Sequence, residues 1–199
     1  MTTVNDDVQA TASVMVTASH LPYNRNGLKF FTPKGGLDKR DIADILDIAE
    51  RGDYAYGGAA GHSATLDFMT IYSSHIADYI CQGVHADDYE HPLKGMHIVV
   101  DAGNGGGGFF ERILSQLGAD TKGSQFLDPD GRFPNHIPNP ENDEAMASVC
   151  RAVADSNADL GVIFDTDVDR SAIIGRNGEP INRNALIALI ASVILEEHP

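Results

Sequence analysis

Basic residues are scarce in this chain. Lys plus Arg number 14 against 29 Asp plus Glu in 199 residues, a formal net charge of −15. Such a balance repels polyanions, which excludes a general binder of nucleic acid or of anionic membrane surfaces. Long apolar runs are lacking as well: the longest, 185–195, is about half of the ~20 residues that a membrane span requires. No basic flank leads into an apolar stretch at the N-terminus, so no targeting segment is expected. Cysteine is nearly absent. Cys81 and Cys150 are far apart and fall in helical patterns, which argues against a disulfide or zinc framework and makes a reducing compartment, the cytoplasm, the expectation. There is no internal repeat and no low-complexity tract. What is present is a hydrophobic fraction of 42%, enough for one large core or two small ones.

The order of patterns divides the chain. Residues 12–16 are small and β-branched and run into Thr17-Ala18-Ser19-His20-Leu21-Pro22, so a strand delivers Ser19 to a loop that the proline ends. Asn26-Gly27 is a turn dipeptide before a short return strand at 28–31. Asp38 is a candidate N-cap, and apolar spacing predicts helices from there to Gly52 and over 68–82. Residues 83–95 are polar and read as a linker. Beyond them strands and helices alternate: strand 97–100, helix 109–117, a proline-rich loop 128–140, helix 141–155, strand 160–164, strand 171–174 and an apolar closing helix 184–197. The expected fold class is therefore α/β, with two three-layer α/β/α units carrying mixed sheets, at 1–86 and 93–199. Only two strands are found before Asp38, so the first unit is expected to be incomplete, with an open sheet edge that favours self-association.

Three segments carry chemistry. Asp165, Asp167 and Asp169 alternate in a tight loop, and like charges that close repel unless a cation neutralises them. Oxygen-only ligation suits Mg²⁺ or Ca²⁺. A calcium helix-loop-helix site would need Gly and Glu where this chain has Arg170 and Arg176; a solvated acidic hairpin is the plain alternative. Arg170 adds a cation able to hold a phosphate beside a metal. Ser19 lies in a loop with Arg25 and Lys29 nearby. It reads either as a turn-closing residue or as a nucleophile for phosphoryl transfer, whereas an acyl-transfer triad lacks its G-x-S-x-G elbow. The run 103–108 satisfies G-x-G-x-x-G between a strand and a helix, but five glycines in six positions meet that pattern by default. A structural turn is the preferred reading over a nucleotide cradle.

Taken in order, Thr17-Ala18-Ser19-His20-x-Pro22, Asn26-Gly27-x-Lys29, Val100-Asp101-x-x-Asn104-Gly105, Pro134-Asn135-His136-x-Pro138 and Asp165-x-Asp167-x-Asp169-Arg170 resemble the alpha-D-phosphohexomutases, the phosphoglucomutase and phosphomannomutase family. The resemblance covers the end of that family's first domain and its second. It implies interconversion of hexose 1-phosphates and 6-phosphates through a phosphorylated Ser19 and a hexose 1,6-bisphosphate, which also serves as the activating phosphoryl donor. It implies Mg²⁺ held by Asp165, Asp167, Asp169 and an oxygen of phosphorylated Ser19. His20 and Lys29 match positions of acid/base or phosphate-contact work, and Arg170 matches one that steadies the phosphoserine. Leu21 stands where the family usually has Asn, and Thr166 and Val168 where Gly and a small residue are common; the ligand positions are intact. The family's third and fourth domains find no counterpart, so low turnover by this chain alone is expected. The alternatives are a non-catalytic binding or interaction module and a nucleotide-binding α/β protein.

Overall fold

The computed structural model describes residues 10–19, 21–54, 57–58 and 60–197. Two compact units divide the chain: Met1–Ala18 with Asn26–Tyr72, and Ser19–Arg25 with Ser73–Pro199.

In the first unit, strand β1 (Ser13–Val16) pairs antiparallel with β2 (Leu28–Thr32), Ser13 opposite Phe31 and Val16 opposite Leu28. β2 pairs in turn with a two-residue strand β3 (Gly35–Gly36), which the sequence pattern did not indicate. Helix α1 (Lys39–Arg51) begins as expected at Asp38. The Asp38 carboxylate accepts from the Arg40 and Asp41 amides, and the Asp41 side chain accepts from the Asp38 amide, a reciprocal capping box. Among the described residues none in this unit is buried. Val16 (69% exposed) and Leu28 (58%) leave the β1–β2 pair open to water, in a sheet that has three strands among the described residues.

The second unit holds the core. Helix α2 (Phe68–Val84) belongs to it from Ser73 onward, because Ile76, Ala77, Ile80 and Cys81 pack against its hydrophobic cluster. The sheet is mixed: β4 (Ile98–Asp101) runs parallel to β5 (Leu160–Phe164), and β6 (Ser171–Gly175) pairs antiparallel with β5. Alternate side chains take opposite faces. Ile98, Val100, Val162 and Phe164 meet Ile113 and Leu114 of α3 (Phe109–Gln116) together with Cys81 of α2. Val99, Ile163, Ala172 and Ile174 meet Ala145, Val149 and Val153 of α4 (Asp143–Ser156). The unit is thus three-layered, helix over sheet over helix.

Single bridges from His97 to Asp120 and from Asp101 to Gln125 lay the 120–125 segment along the free side of β4. The last helix, α5 (Arg183–Glu197), is capped by Asn182, whose side chain accepts from the amides of Asn184 and Ala185. Its apolar residues are not confined to one stripe: Ile187, Leu189, Ile190, Val193, Ile194 and Leu195 are all exposed.

Candidate active site

The acidic loop leaves the C-terminal end of β5, where a parallel strand of an α/β sheet commonly delivers functional groups. Oxygens of Asp165, Asp167 and Asp169 lie within 4.8 Å of one another, close enough to share one cation. Asp165 is fully buried. Burial pushes its carboxyl up from the ordinary range and neighbouring Asp169 adds to this, while hydrogen bonds from Arg170 act in the opposite sense. The Arg170 amide donates to Asp165 Oδ1 (3.1 Å), and Nε and Nη2 lie 3.0 and 2.8 Å from Oδ2. Asp169 Oδ1 lies 3.6 Å from the same Nε. One guanidinium therefore balances only part of three clustered carboxylates.

Two further observations fit a hard cation at this loop. Thr166 Oγ1 is buried with no hydrogen-bond partner among the described residues. Val168, a β-branched residue, has φ +66°, a conformation that costs ~1–3 kcal/mol and persists only where the surrounding structure imposes it. That left-handed turn falls between Asp167 and Asp169, whose oxygens lie in the same cluster.

The glycine run lies against this loop. Gly106 N donates to Thr166 O (2.9 Å). A Cβ on Gly105 would sit 2.9 Å from Thr166 O, and one on Gly107 would sit 2.8 Å from Phe164 Cδ2. The glycines thus admit the chain's own backbone and a core phenylalanine. These close approaches account for glycine at 105 and 107 by packing alone, which supports the structural turn.

The sequence-derived residues fall as follows. Asp165, Asp167, Asp169 and Arg170 are brought together. Ser19 is half-buried with φ +55°, and the segment Ser19–Arg25 is part of the second unit, which also holds the acidic loop. Arg25 N closes the turn on Pro22 O (2.8 Å). Lys29 is exposed on β2 of the first unit, opposite Met15. His20 lies outside the described residues.

The sequence pattern gave no role to a polar cluster near the loop, buried Asp101 and His136 with half-buried Gln125 and Asn139. Asp101 closes β4 with both oxygens engaged, by Gly103 N (2.9 Å), Gln125 Nε2 (2.7 Å) and the His136 ring. The available signals were an aspartate ending an apolar strand and polar residues set between prolines at 134, 138 and 140.

Fold and loop together define a three-layer α/β protein with a candidate cation centre at the end of its central strand. Comparison with known proteins gives the family. A model of phosphoglucomutase/phosphomannomutase alpha/beta/alpha domain II matches residues 72–178, and one of domain I matches residues 1–55. The chain belongs to the phosphoglucomutase/phosphomannomutase family. It is 31% identical to a phosphoglucomutase of Neisseria meningitidis serogroup B over 94% of its own length and 39% of the relative's. It is 34% identical to a phosphohexose mutase of Xanthomonas campestris pv. campestris over 98% and 42%, respectively. A crystal structure of a phosphoglucomutase/phosphomannomutase family protein from Burkholderia thailandensis superposes with a TM-score of 0.76 at 24% identity, covering 96% of this chain and 39% of that one. The chain spans about two fifths of the length of the curated relatives it matches.

Proposed function

We propose that this chain carries the phosphoserine and metal portions of a phosphohexomutase that interconverts hexose 1-phosphate and hexose 6-phosphate. The observation that carries the reading is the cluster Asp165, Asp167 and Asp169 with Arg170 beside it, in a chain whose relatives are named as mutases of hexose phosphates. Ser19 is the proposed nucleophile. In the forward half-reaction the phosphorus–oxygen bond to Ser19 Oγ breaks and one forms to a hydroxyl of the bound hexose phosphate; that hydroxyl's proton passes to a base, and Ser19 Oγ takes up a proton from an acid as it leaves. His20 and Lys29 are the residues proposed for this proton transfer or for phosphate contact. The resulting bisphosphate turns over and returns its other phosphoryl group to Ser19.

Asp165, Asp167, Asp169 and an oxygen of phosphorylated Ser19 would hold Mg²⁺, which supplies Lewis-acid neutralisation of the transferring phosphoryl group. Arg170 supplies the second positive charge. Because the transferring group is anionic and the chain itself carries −15, these two cations offset a field that would otherwise oppose substrate.

Further support comes from Ser19 itself. A non-glycine residue at φ +55°, in a turn three residues beyond β1, is a strained position of the kind that presents a reactive side chain. Hexose 1,6-bisphosphate is the proposed phosphoryl donor that primes it, and the cytoplasm the proposed compartment. No described helix is long and apolar enough to cross a membrane. Self-association is proposed through the first unit's open sheet edge.

Peptide mass spectrometry tests the reading. After incubation with glucose 1,6-bisphosphate and Mg²⁺, Ser19 should carry phosphate, and Asp167→Ala should reduce the label at least tenfold. An unlabelled Ser19 in folded protein would leave a non-catalytic relic of the family instead. Sustained isomerisation of glucose 1-phosphate by this chain alone would overturn the expectation that the remaining three fifths of the relatives' length is needed for turnover.

A further inference from the structure

Behind the acidic loop the second unit buries two titratable side chains that the proposed reaction does not use. The side chains of His136 and Asp101 are 1% and 0% exposed. His136 Nε2 lies 3.0 and 3.1 Å from the two Asp101 oxygens, and Nδ1 lies 3.1 Å from the Ile137 carbonyl oxygen. Both ring nitrogens therefore face oxygens able only to accept. A neutral imidazole has one N–H and would aim a lone pair at one of them; the imidazolium donates to both. The charged groups acting on the ring, Asp101 at the end of β4 and Glu144 on α4, are both acidic. Phe126 meets it edge-on at 5.3 Å, and Gln125 donates to Asp101.

The segment that His136 anchors reaches the candidate active site. Ile137 O accepts not only from His136 Nδ1 but from the Asn139 amide (2.8 Å). Asn139 Oδ1 in turn accepts from Arg170 Nη1 (3.4 Å) and from the Glu141 amide (3.0 Å). Between the two anchors Pro138 is fully buried, and its ring fixes φ and leaves the chain little slack. At the other end Asn135 Nδ2 donates to Asn104 Oδ1 (2.8 Å).

We propose that His136 is a positioning residue: as a doubly donating imidazolium it pins the Ile137 carbonyl, holds Asn139 against Arg170, and so sets the orientation of the guanidinium that faces Asp165. Loss of one ring proton turns a lone pair toward an oxygen, frees Ile137 and lets Asn139 leave Arg170. This goes beyond the mutase reading and takes from it only the statement that Arg170 faces the transferring phosphate.

Nitrogen NMR of the ¹⁵N-labelled 199-residue chain, without metal or phosphoryl donor, tests the proposal over about pH 5.5 to 9, the window that brackets an ordinary histidine. Both His136 ring nitrogens should be protonated at neutral pH, and the Arg170 Nε–H resonance, assigned by its loss in Arg170→Lys, should shift with the midpoint of the ring titration. In Asn139→Ala the ring should titrate as before while the Arg170 response disappears. A neutral ring at pH 7, an Arg170 signal that ignores the ring titration in the unaltered chain, or a response that survives in Asn139→Ala would each overturn it. Phosphate labelling of Ser19 is read in a separate experiment, so failure of one reading leaves the other standing.

Discussion

Arg170 places Nη2 2.8 Å from Oδ2 of Asp165, a carboxylate with no exposed surface. That single contact links the sheet to the chemistry: the acid is anchored at the buried end of β5, and the base that balances it faces the loop where phosphate is proposed to bind. Arg170→Ala leaves a buried carboxylate without its cation, at an expected cost of about 3 kcal/mol at pH 7. The penalty should shrink on acidification, because burial already raises the Asp165 carboxyl above its ordinary range and protonation removes the uncompensated charge. Urea denaturation of both proteins at two pH values measures this; an equal loss at both would contradict it.

A divalent cation should stabilise the folded chain. Three carboxylates within 4.8 Å repel one another, and at a metal concentration of about 100 times Kd the linkage is worth ~2.7 kcal/mol, or a rise in Tm of several degrees. Thermal melts with and without Mg²⁺ or Mn²⁺ give the number. Asp167→Ala should erase the shift, since only Asp165 and Asp169 would then remain.

Histidine 136 makes stability fall with rising pH. Burial alone would push its pKa down, but the Asp101 hydrogen bond and charge, with smaller help from the Ile137 carbonyl and Glu144, leave it raised. A raised basic group binds more protons folded than unfolded, so its contribution is complete below about pH 6.5 and is lost as pH climbs through the folded value. His136→Asn should flatten that slope in chemical denaturation curves recorded on the neutral and alkaline side. An unchanged slope would contradict the assignment.

Gly103 cannot become alanine without damage. Its φ is +54°, and an added Cβ would lie 2.8 Å from Pro138 Cβ and 3.0 Å from His136 Cε1. The left-handed backbone and the clash together cost ~2–4 kcal/mol. Gly131→Ala, where nothing lies within 4 Å of the added atom, is the control and should stay within about 0.5 kcal/mol.

Exposed apolar residues on α5 should add to the association proposed for the first unit's sheet edge. Leu189 (60% exposed) and Leu195 (65%) make no use of burial, so Leu189→Glu with Leu195→Glu should lower dye binding to apolar surface and sharpen the size-exclusion profile with little loss of stability. A profile unchanged by both substitutions would locate the adhesive surface elsewhere.

Much of this arrangement was legible before any coordinates. The Asp38 cap, the short apolar runs of β4 and β5 and the Asp165–Asp169 spacing are local signals, each set within a few residues. The glycine run was legible as a turn because five glycines in six positions meet the nucleotide fingerprint by default. The contact between Asp101 and His136 was not, since 35 residues separate them and no local pattern announces a buried hydrogen bond between them. Nor was the allegiance of α2 visible: its apolar stripe is plain in sequence, but which core Ile76 and Cys81 serve is decided by tertiary packing. The last helix shows the opposite limit, for α5 is strongly apolar yet much of it faces water.

Helices cover both faces of β5 in the second unit, whereas the described part of the first unit has no interior. An isotope clock should read that contrast directly: in deuterium oxide the amides of Val162 and Ile163 would be among the last to exchange, and those of β1 and β2 among the first. A protease given the same chain would meet one half already open to it and another that must melt as a whole before it can be cut.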